Sequence, residues 1–371
     1  MLDTIKYYKY LNELSINFFT GVPDSLLKQI CACISDNEDE NHIIAANEGN
    51  AVGLATGYHL ATKKLPMVYL QNSGLGNTIN PLISLTSETV YSIPILLMIG
   101  WRGQPGVIDE PQHVNQGAVT EKLLDILEIE YEILSFDLEE AKAQTKKLVD
   151  LALKENKPKA ILVRKNTFDD YSYKNDTQYD SKISREEVLE VLLNNLSDDG
   201  YVFSTTGKTS REVFELREKY NQTHNRDFLT VGSMGHTSSI ALAFSKYNSN
   251  SVICIDGDGA LLMHMGSLPI NSVYSKDNFK YVLINNYAHE SVGGQKTISN
   301  KIDFMKLFES VGFKNYRSVS TLDELKEVVT SKEFNSQSYA LEVLVKLGSR
   351  KDLGRPTISP IQGKKNLMGT I

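Results

Sequence analysis

The sequence predicts an α/β protein built of two similar domains, each with a parallel β-sheet. Short runs rich in Val, Ile and Leu alternate with amphipathic stretches of helical period, which is typical of doubly wound sheets. The polar stretch 166–184 interrupts this alternation once, and glycine-rich features repeat on either side of it. The chain has 371 residues, and at about 150 residues per domain it has room for two such domains.

The strands and helices follow from these runs in chain order. The predicted strands are His42–Ala46, Met67–Gln71, Ile95–Ile99, Ala160–Val163, Tyr201–Phe203, Val252–Ile255, Tyr281–Ile284 and Leu341–Val345. Predicted helical faces lie between them, at Asn50–Gly57, Lys122–Leu127, Leu138–Leu153, Arg185–Leu196, Ser210–Tyr220, Ser238–Ala243 and Thr321–Thr330.

The two halves share an order of glycine-rich features. Each has a small-residue helix opened by a glycine, then a strand, then a glycine turn. Gly49 and Gly235 are 186 positions apart, and Gly74 and Gly259 are 185 apart. Two related domains are the simplest interpretation, although any two parallel α/β halves share part of this likeness.

Charge and composition exclude several classes of protein. The net charge is −7, and the basic residues form no long block, so nucleic acid is not an expected partner. The apolar runs are too short to span a bilayer. No leader is visible at the N-terminus, and three cysteines indicate a reducing compartment rather than a disulfide framework, so the expected location is the cytoplasm.

Polar residues follow two neighbouring predicted strands of the second half. Asp258 lies in a Gly-Asp-Gly turn after one strand, and Asn285 and Asn286 end the next. Because the carboxyl ends of parallel strands meet at one sheet edge, these side chains are expected to lie together. Their oxygens suit Mg²⁺, and glycines allow a diphosphate to approach the backbone closely.

With these residues in place, the sequence is seen to resemble a known family. The stretch from Gly257 to Asn286 is similar to the thiamine diphosphate fingerprint. Across nearly the whole chain the sequence resembles the phosphonopyruvate decarboxylases and, next to them, the sulfopyruvate decarboxylases. The resemblance is carried by Thr20–Leu27, Ala46–Ala51, Leu70–Asn77, Asp109–His113, Gly232–His236 and His289–Gln295.

The resemblance implies a pyrimidine-binding domain at 1–165, a linker at 166–184 and a diphosphate-binding domain at 185–347, with no middle domain. It implies Mg²⁺ held by Asp258, Asn286 and the backbone carbonyl of Ala288. It also implies that Glu48 exchanges a proton with the pyrimidine ring of the cofactor. The full set of residues expected to bind the cofactor is Glu48, Asn72, Gly207, Met234, Gly257, Asp258, Gly259 and Asn286.

The residues that handle the substrate are less strongly indicated. His113, on a predicted polar loop, is favoured as a catalytic proton donor over His236 and His289, and a structural role fits each histidine equally. Ser25 takes the register of an active-site aspartate in larger decarboxylases and is expected to bind the substrate anion. The expected cationic partners of that anion are Arg350 or Arg355 in the basic tail 348–371, with Lys208 or Arg102 as the next candidates.

The expected reaction is the thiamine diphosphate- and Mg²⁺-dependent decarboxylation of 3-phosphonopyruvate to phosphonoacetaldehyde and CO₂, in phosphonate biosynthesis. Sulfopyruvate decarboxylase is the first alternative, and the undivided chain favours the phosphonate. The second alternative is a non-catalytic α/β protein that binds Mg²⁺ and diphosphate. The resemblance also implies a homodimer or higher even oligomer with active sites between chains.

Overall fold

The structure, a computed structural model, describes residues 1–38, 40–174 and 181–371. The chain divides into two compact units. Unit N comprises Met1–Asp176 and Ser291–Gln295, and unit C comprises Thr177–Glu290 and Lys296–Ile371. Among the described residues, no helix is long and apolar enough to cross a membrane.

Unit N contains one six-stranded parallel sheet with helices between successive strands. Its strands are β1 (Phe19–Gly21), β2 (His42–Ile44), β3 (Met67–Gln71), β4 (Leu96–Gly100), β5 (Glu130–Ile133) and β6 (Lys159–Val163). Its helices are α1 (Thr4–Glu13), α2 (Lys28–Asn37), α3 (Glu48–Thr62), α4 (Leu75–Thr86), α5 (Pro111–Ile126) and α6 (Leu138–Glu155). The strand order is β2-β1-β3-β4-β6-β5.

Unit C contains a second six-stranded parallel sheet. Its strands are β7 (Tyr201–Ser204), β8 (Asp227–Leu229), β9 (Val252–Gly257), β10 (Phe279–Asn285), β11 (Tyr316–Val319) and β12 (Tyr339–Leu344). Its helices are α7 (Arg185–Asn195), α8 (Lys208–Lys219), α9 (Thr237–Tyr247), α10 (Asp258–Met263), α11 (Ser267–Tyr274), α12 (Phe304–Ser310), α13 (Leu322–Thr330), α14 (Lys332–Ser336) and α15 (Pro360–Met368). The order is β11-β12-β10-β9-β7-β8.

The two sheets have the same topology. Counted within its own unit, each sheet runs second, first, third, fourth, sixth, fifth strand from one edge to the other. Parallel pairing joins all the neighbours in both sheets. The predicted pair of doubly wound α/β domains is therefore confirmed.

Apolar strands covered by helices on both faces form the core of each unit. In β4, Leu96 and Met98 point into one apolar cluster, and Leu97 and Ile99 point into the cluster on the opposite face. This alternation explains the uninterrupted apolar run, because a parallel sheet buries both faces. Each such side chain contributes roughly 1.5 to 3 kcal/mol of burial free energy.

The predicted elements differ from the observed ones mainly at sheet edges. The central strands lie within two residues of their predicted bounds, whereas β1, β5, β8 and β11 were not predicted. Of these, β1 and β8 have three residues each, and β5 and β11 are edge strands with exposed polar side chains. Strands this short, or this polar, carry little periodic signal.

The predicted linker and basic tail are largely built into the units. The linker 166–184 lies partly outside the described residues, but Asp169 accepts a 2.7 Å hydrogen bond from Thr4 Oγ1 in unit N. Ser181 Oγ donates to the Leu344 carbonyl of unit C at 2.8 Å. In the predicted tail, α15 packs against β8, and Leu367 is buried in the core of unit C.

Candidate functional site

Each unit gathers its predicted site residues at the carboxyl edge of its sheet, where open α/β sheets bind ligands. In unit N these are Ser25, Glu48, Asn72 and His113, which follow β1, β2, β3 and β4. In unit C the residues expected to bind the cofactor and metal lie at or just after the ends of β7, β8, β9 and β10, and they are Gly207, Met234, Gly257, Asp258, Gly259, Asn286 and Ala288.

Glu48 begins α3 and is buried at the edge of unit N. The side chain of Asn47 caps this helix by accepting a hydrogen bond from the Gly49 amide at 2.8 Å. Asn77 Nδ2 donates to Glu48 Oε2 at 2.8 Å. A Cβ atom at Gly74 would lie 2.4 Å from Glu48 Oε1, so only glycine leaves room for the carboxylate. Asn77 lies within the motif Leu70–Asn77, but no role was predicted for it.

A second carboxylate, Asp24, is fully buried behind β1. Gln71 Nε2 donates to Asp24 Oδ1 at 2.5 Å, and the Leu26 amide donates to Oδ2 at 2.9 Å. Burial raises the pKa of Asp24, and the Gln71 hydrogen bond opposes that rise. Asp24 therefore stabilises the loop after β1 through these hydrogen bonds. Its neighbour Ser25 is partly exposed.

Arg102 follows β4 and reaches the same loop. Its Nη1 donates to Ser25 Oγ at 2.7 Å, its Nε donates to Asp109 Oδ2 at 2.8 Å, and its Nη2 forms an ion pair with the same carboxylate. Burial favours a higher pKa for Asp109, but hydrogen bonds from Arg102 reverse this effect and leave the pKa lowered. The structure thus places a guanidinium and a hydroxyl side by side.

Asn72 and His113 surround this arginine. Asn72 Nδ2 donates to the Arg102 carbonyl at 2.8 Å and to Thr120 Oγ1 at 2.9 Å, so Asn72 holds the Arg102 backbone. His113 lies in the first turn of α5 rather than on the predicted polar loop, and it is buried. Burial and the charge of Arg102 lower its pKa to about 4. His113 is therefore neutral at pH 7, which corrects the expectation of a pKa near the working pH.

Asp258 begins α10 directly after β9 in unit C and is buried. Its Oδ2 accepts hydrogen bonds from Thr297 Oγ1 at 2.5 Å and Ser299 Oγ at 2.9 Å. Burial raises its pKa to about 6, although both hydroxyls oppose the rise. A buried carboxylate with neutral partners is stabilised when a cation binds beside it.

The predicted second ligand lies on the neighbouring strand. Gly257 of β9 pairs with Ile284 of β10, so Asp258 and Asn286 leave the sheet at adjacent places. Ser299 Oγ also lies 3.0 Å from Asn285 Oδ1, so its hydroxyl group lies between the two strand ends. Asn286 Oδ1 accepts the Ala288 amide at 3.1 Å.

The donor set fits Mg²⁺. It consists of a carboxylate, an amide and a backbone carbonyl, all hard oxygen ligands, and a diphosphate and water complete such a site. Among the described residues there is no group of three or more His, Cys, Asp or Glu that could hold a metal. A site with a single carboxylate that shares its cation with a diphosphate is consistent with this finding.

Charged side chains lie behind Asn286. Glu290 Oε2 accepts from Asn286 Nδ2 at 2.8 Å and from Arg185 Nη1 at 2.9 Å, and Lys208 Nζ donates to Glu290 Oε1 at 2.8 Å. Lys208, a reserve candidate for the substrate anion, is therefore paired within unit C. Arg185 also binds Glu212 through Nε and Nη2, at 2.6 and 2.8 Å.

Met234 and Gly259 form a close contact in unit C. A Cβ atom at Gly259 would lie 3.3 Å from Met234 Cε and 3.0 Å from His289 Nδ1. Burial lowers the pKa of His289 to about 4. The exposed ring of His236 lies 4.3 Å from the ring of His264, centroid to centroid.

The remaining glycines differ in what they require. Gly207 precedes α8 with φ +95°, a left-handed conformation that favours glycine. At Gly257 a Cβ atom would meet nothing within 4 Å, so the space inside this chain does not demand glycine there.

Arg350 and Arg355, the expected partners of the substrate anion, belong to unit C, whereas Ser25 belongs to unit N. Arg350 Nε binds Glu186 at 3.0 Å, Nη1 lies 3.2 Å from Asp352, and Nη2 pairs with Glu215. Arg355 is exposed. The guanidinium that contacts Ser25 within unit N is that of Arg102, which the sequence analysis named only as a next candidate for binding the substrate anion.

Comparison with known proteins gives two family matches. The family described as "Thiamine pyrophosphate enzyme, N-terminal TPP binding domain" matches residues 7–126. The family described as "Thiamine pyrophosphate enzyme, C-terminal TPP binding domain" matches residues 205–341. The first match lies in unit N, and the second lies in unit C except for Ser291–Gln295.

Three curated relatives bear names of decarboxylases. The phosphonopyruvate decarboxylase of Streptomyces viridochromogenes is 29% identical over 372 residues, covering 95% of this chain and 90% of that protein. The sulfopyruvate decarboxylase of Methanosarcina acetivorans is 25% identical and covers 99% and 97%. The sulfopyruvate decarboxylase subunit alpha of Methanococcus maripaludis is 38% identical over 124 residues, covering 33% of this chain and 72% of that subunit.

Proposed function

Since the chain belongs to the thiamine pyrophosphate-dependent decarboxylases of the phosphonopyruvate and sulfopyruvate type, we propose that it decarboxylates 3-phosphonopyruvate to phosphonoacetaldehyde and CO₂. The observation that carries the choice of an anionic keto acid is the contact between Arg102 and Ser25 at the edge that also holds Glu48. We further propose that this reaction serves phosphonate biosynthesis.

The cofactors are thiamine diphosphate and Mg²⁺. In the proposal Asp258, Asn286 and the Ala288 carbonyl hold the metal, and Gly207 and Gly259 leave the backbone open to the diphosphate. When bound, thiamine diphosphate supplies the electron sink that takes up the electron pair released as CO₂ departs. The chain's own residues bind, orient and move protons around it.

Glu48 is the proposed proton-exchange residue for the pyrimidine ring. Asn77 fixes one carboxylate oxygen, and the bare backbone of Gly74 leaves the carboxylate room beside the helix. In unit C, Met234 provides an apolar surface, which supports the role in shaping the cofactor that the family resemblance implies.

His113 enters the proposal as a neutral hydrogen-bonding group. At pH 7 an imidazole with a pKa of about 4 is neutral and has a single N–H group. In the proposal His113 therefore orients the keto acid and does not serve as a charged acid. Its Nδ1 atom is buried without a hydrogen-bond partner among the described residues, and a polar substrate would supply one.

Arg102 is the proposed partner of the phosphonate. A guanidinium donates parallel hydrogen bonds to phosphonate oxygens, and Ser25 adds a hydroxyl donor. Asp109 and Asn72 hold Arg102 by its side chain and its backbone, respectively. Losing one charge-assisted bond should cost roughly 1.5 to 3 kcal/mol, or about tenfold or more in affinity.

Sulfopyruvate is the competing substrate. The relative from Methanosarcina acetivorans is named sulfopyruvate decarboxylase and aligns with both halves of this chain. The expectation that an undivided chain favours the phosphonate is wrong, because a sulfopyruvate decarboxylase also has both halves in one chain. A sulfonate also presents three oxygens to a guanidinium, so the same contact fits both acids.

The experiment is a measurement of CO₂ release from phosphonopyruvate, sulfopyruvate and pyruvate with thiamine diphosphate and Mg²⁺ added. We expect the highest kcat/KM for phosphonopyruvate. Arg102→Met should lower kcat/KM at least about tenfold for the phosphonate, with a smaller effect on pyruvate. A higher kcat/KM for sulfopyruvate would assign the alternative substrate. If Arg350→Met selectively lowers kcat/KM for phosphonopyruvate and Arg102→Met does not, the C-terminal segment binds the anion.

We propose that the active enzyme is a homodimer or a higher even oligomer with sites between chains. The proposal is supported by the family match, whose two domains bind opposite ends of the cofactor. Mixing inactive Glu48→Gln and Asp258→Ala chains should restore activity through hybrid sites that are intact at both ends. If chains exchange without recovery of activity, each site lies within one chain.

A further inference from the structure

The amide of Asn286 must present its oxygen, not its nitrogen, to a metal ion. Its Nδ2 donates to Glu290 Oε2 at 2.8 Å, and its Oδ1 accepts from the Ala288 amide at 3.1 Å. We propose that Glu290 is a positioning residue that fixes this orientation and so turns Asn286 into a magnesium ligand. The inference rests on the magnesium site of the proposed function.

Glu290 can enforce the orientation because it is surrounded by donors. Arg185 and Lys208 donate to its two oxygens at 2.9 and 2.8 Å. A carboxylate paired with two cations accepts hydrogen bonds and donates none. The only end of the Asn286 amide that can face it is the NH₂ group, so the oxygen is directed to the other side.

The surrounding charges make Glu290 replaceable without leaving a buried charge unpaired. Arg185 keeps two hydrogen bonds to the buried Glu212 when Glu290 is removed. Lys208 is partly exposed and can turn to solvent. An uncharged residue at 290 should therefore leave the fold of unit C intact.

Two substitutions separate orientation from charge. Glu290→Leu removes the acceptor, so the Asn286 amide is free to turn its NH₂ group to the metal. Glu290→Gln removes the charge but keeps an oxygen that accepts from Asn286, with its own NH₂ group facing the position that Lys208 leaves. If Glu290 acts by orienting Asn286, Glu290→Gln retains the Mg²⁺ affinity that Glu290→Leu loses.

The readout is Mg²⁺ binding in the presence of thiamine diphosphate, measured by isothermal titration calorimetry on the full-length protein without substrate. Loss of a residue that orients a metal ligand typically weakens the metal about 10-fold to 100-fold, and we expect this of Glu290→Leu. Glu290→Gln should bind within about threefold of wild type. Glu186→Leu, which removes an ion-pair partner of Arg350 in the same unit, is the matched control and should leave Mg²⁺ affinity unchanged.

A double variant tests the mechanism directly. A carboxylate at position 286 ligates the metal through either oxygen. In an Asn286→Asp background, Glu290→Leu should therefore cause no further loss of Mg²⁺ affinity. Restored binding in that double variant also shows that leucine at 290 is compatible with folding. A loss as large as in the wild-type background would contradict an orienting role.

The remaining outcomes are equally decisive. Wild-type Mg²⁺ affinity in Glu290→Leu, or equal losses in Glu290→Leu and Glu290→Gln, would overturn the proposal. Asp258→Ala is measured in parallel. If it binds Mg²⁺ like wild type, the magnesium site itself is wrong; if it loses Mg²⁺ while Glu290→Leu does not, only the orienting role fails.

Discussion

Units N and C share one strand order but carry different side chains at matching places. Glu48 precedes Gly49 in the first turn of α3 in unit N, and Met234 precedes Gly235 in the turn before α9 in unit C. Each approaches the glycine that follows the third strand of its own sheet, Gly74 or Gly259. The same backbone contact thus holds a carboxylate in one unit and a thioether in the other. The comparison teaches that one scaffold can place chemically different side chains at the same sheet edge.

A second comparison concerns one side chain on the second strand of each sheet. His42 pairs in register with Phe19 in unit N, and Phe228 pairs with Phe203 in unit C. His42 Nε2 lies 2.7 Å from the Tyr69 hydroxyl, whereas Phe228 stacks on Phe203 with ring centroids 5.5 Å apart. Only the unit N member of this pair can titrate.

The largest expected effect comes from Glu48→Gln. The change is nearly isosteric, so thiamine diphosphate should still bind, but an amide cannot exchange the ring proton. We expect kcat to fall by about 10²-fold to 10⁴-fold, the usual worth of a general acid or base. Steady-state kinetics and calorimetric titration of the cofactor check the two halves of the prediction. Turnover close to wild type would contradict the assigned role.

Asp258→Ala should show the opposite pattern in unit C. Mg²⁺ loses the only carboxylate among its proposed ligands, so cofactor affinity should fall by at least about tenfold, and saturating Mg²⁺ should recover part of the activity. The measurement is the Mg²⁺ concentration that gives half-maximal activity. An unchanged Mg²⁺ requirement would count against the site.

The paired glycines give the next largest contrast. A methyl group at Gly74 would lie 2.4 to 2.6 Å from the Glu48 side chain, so Gly74→Ala must displace the carboxylate. At Gly259 the nearest atoms lie at 3.0 and 3.3 Å, and small shifts accommodate the methyl group. We expect Gly74→Ala to lower kcat about 100-fold, toward the loss expected for Glu48→Gln, and Gly259→Ala to lower it less than tenfold. Equal losses would show that the two contacts are equally tight.

The smallest effect concerns acid stability. Burial lowers the pKa of His42 to about 4 from the ordinary 6.5. The folded chain then binds fewer protons at this site than the unfolded chain between pH 6.5 and 4, so stability is lost as the pH falls through that window. His42→Phe, which replaces the imidazole by an aromatic ring that cannot titrate, should make the free energy of unfolding less dependent on pH, by at most about 1.4 kcal/mol per pH unit.

Urea denaturation at pH 7 and pH 5 measures this dependence. Phe228→His, the reciprocal change in unit C, should make the loss on acidification steeper. If His42→Phe keeps the wild-type difference between the two pH values, another group is responsible for the acid sensitivity at this strand position.

The metal motif could be predicted from sequence because its parts end neighbouring strands. Asp258 and Asn286 each follow a clear apolar run, and parallel strands bring such ends to one edge. The orientation of Asn286 could not be predicted, because it depends on how Glu290 is placed by Arg185 and Lys208.

The contact between Ser25 and Arg102, the proposed anion site, could not be predicted from the sequence. Ser25 and Arg102 are 77 positions apart and meet only because β1 and β4 both flank β3. No local pattern distinguishes Arg102 from Arg350, and the basic composition of the C-terminal segment favoured Arg350 and Arg355. The partners of Arg350 on α7 and α8 became visible only in the folded unit.

The helix α15, which lies against β8, also affects how the protein behaves in solution. β8 is the last strand of its sheet, and the backbone groups along an uncovered last strand can pair with a strand of another molecule. Leu367 anchors the helix in the core, and the Tyr201 hydroxyl donates to the Thr370 carbonyl at 3.2 Å. A helix packed against the last strand limits such strand pairing, so we expect a chain shortened before Pro360 to aggregate more readily at high concentration.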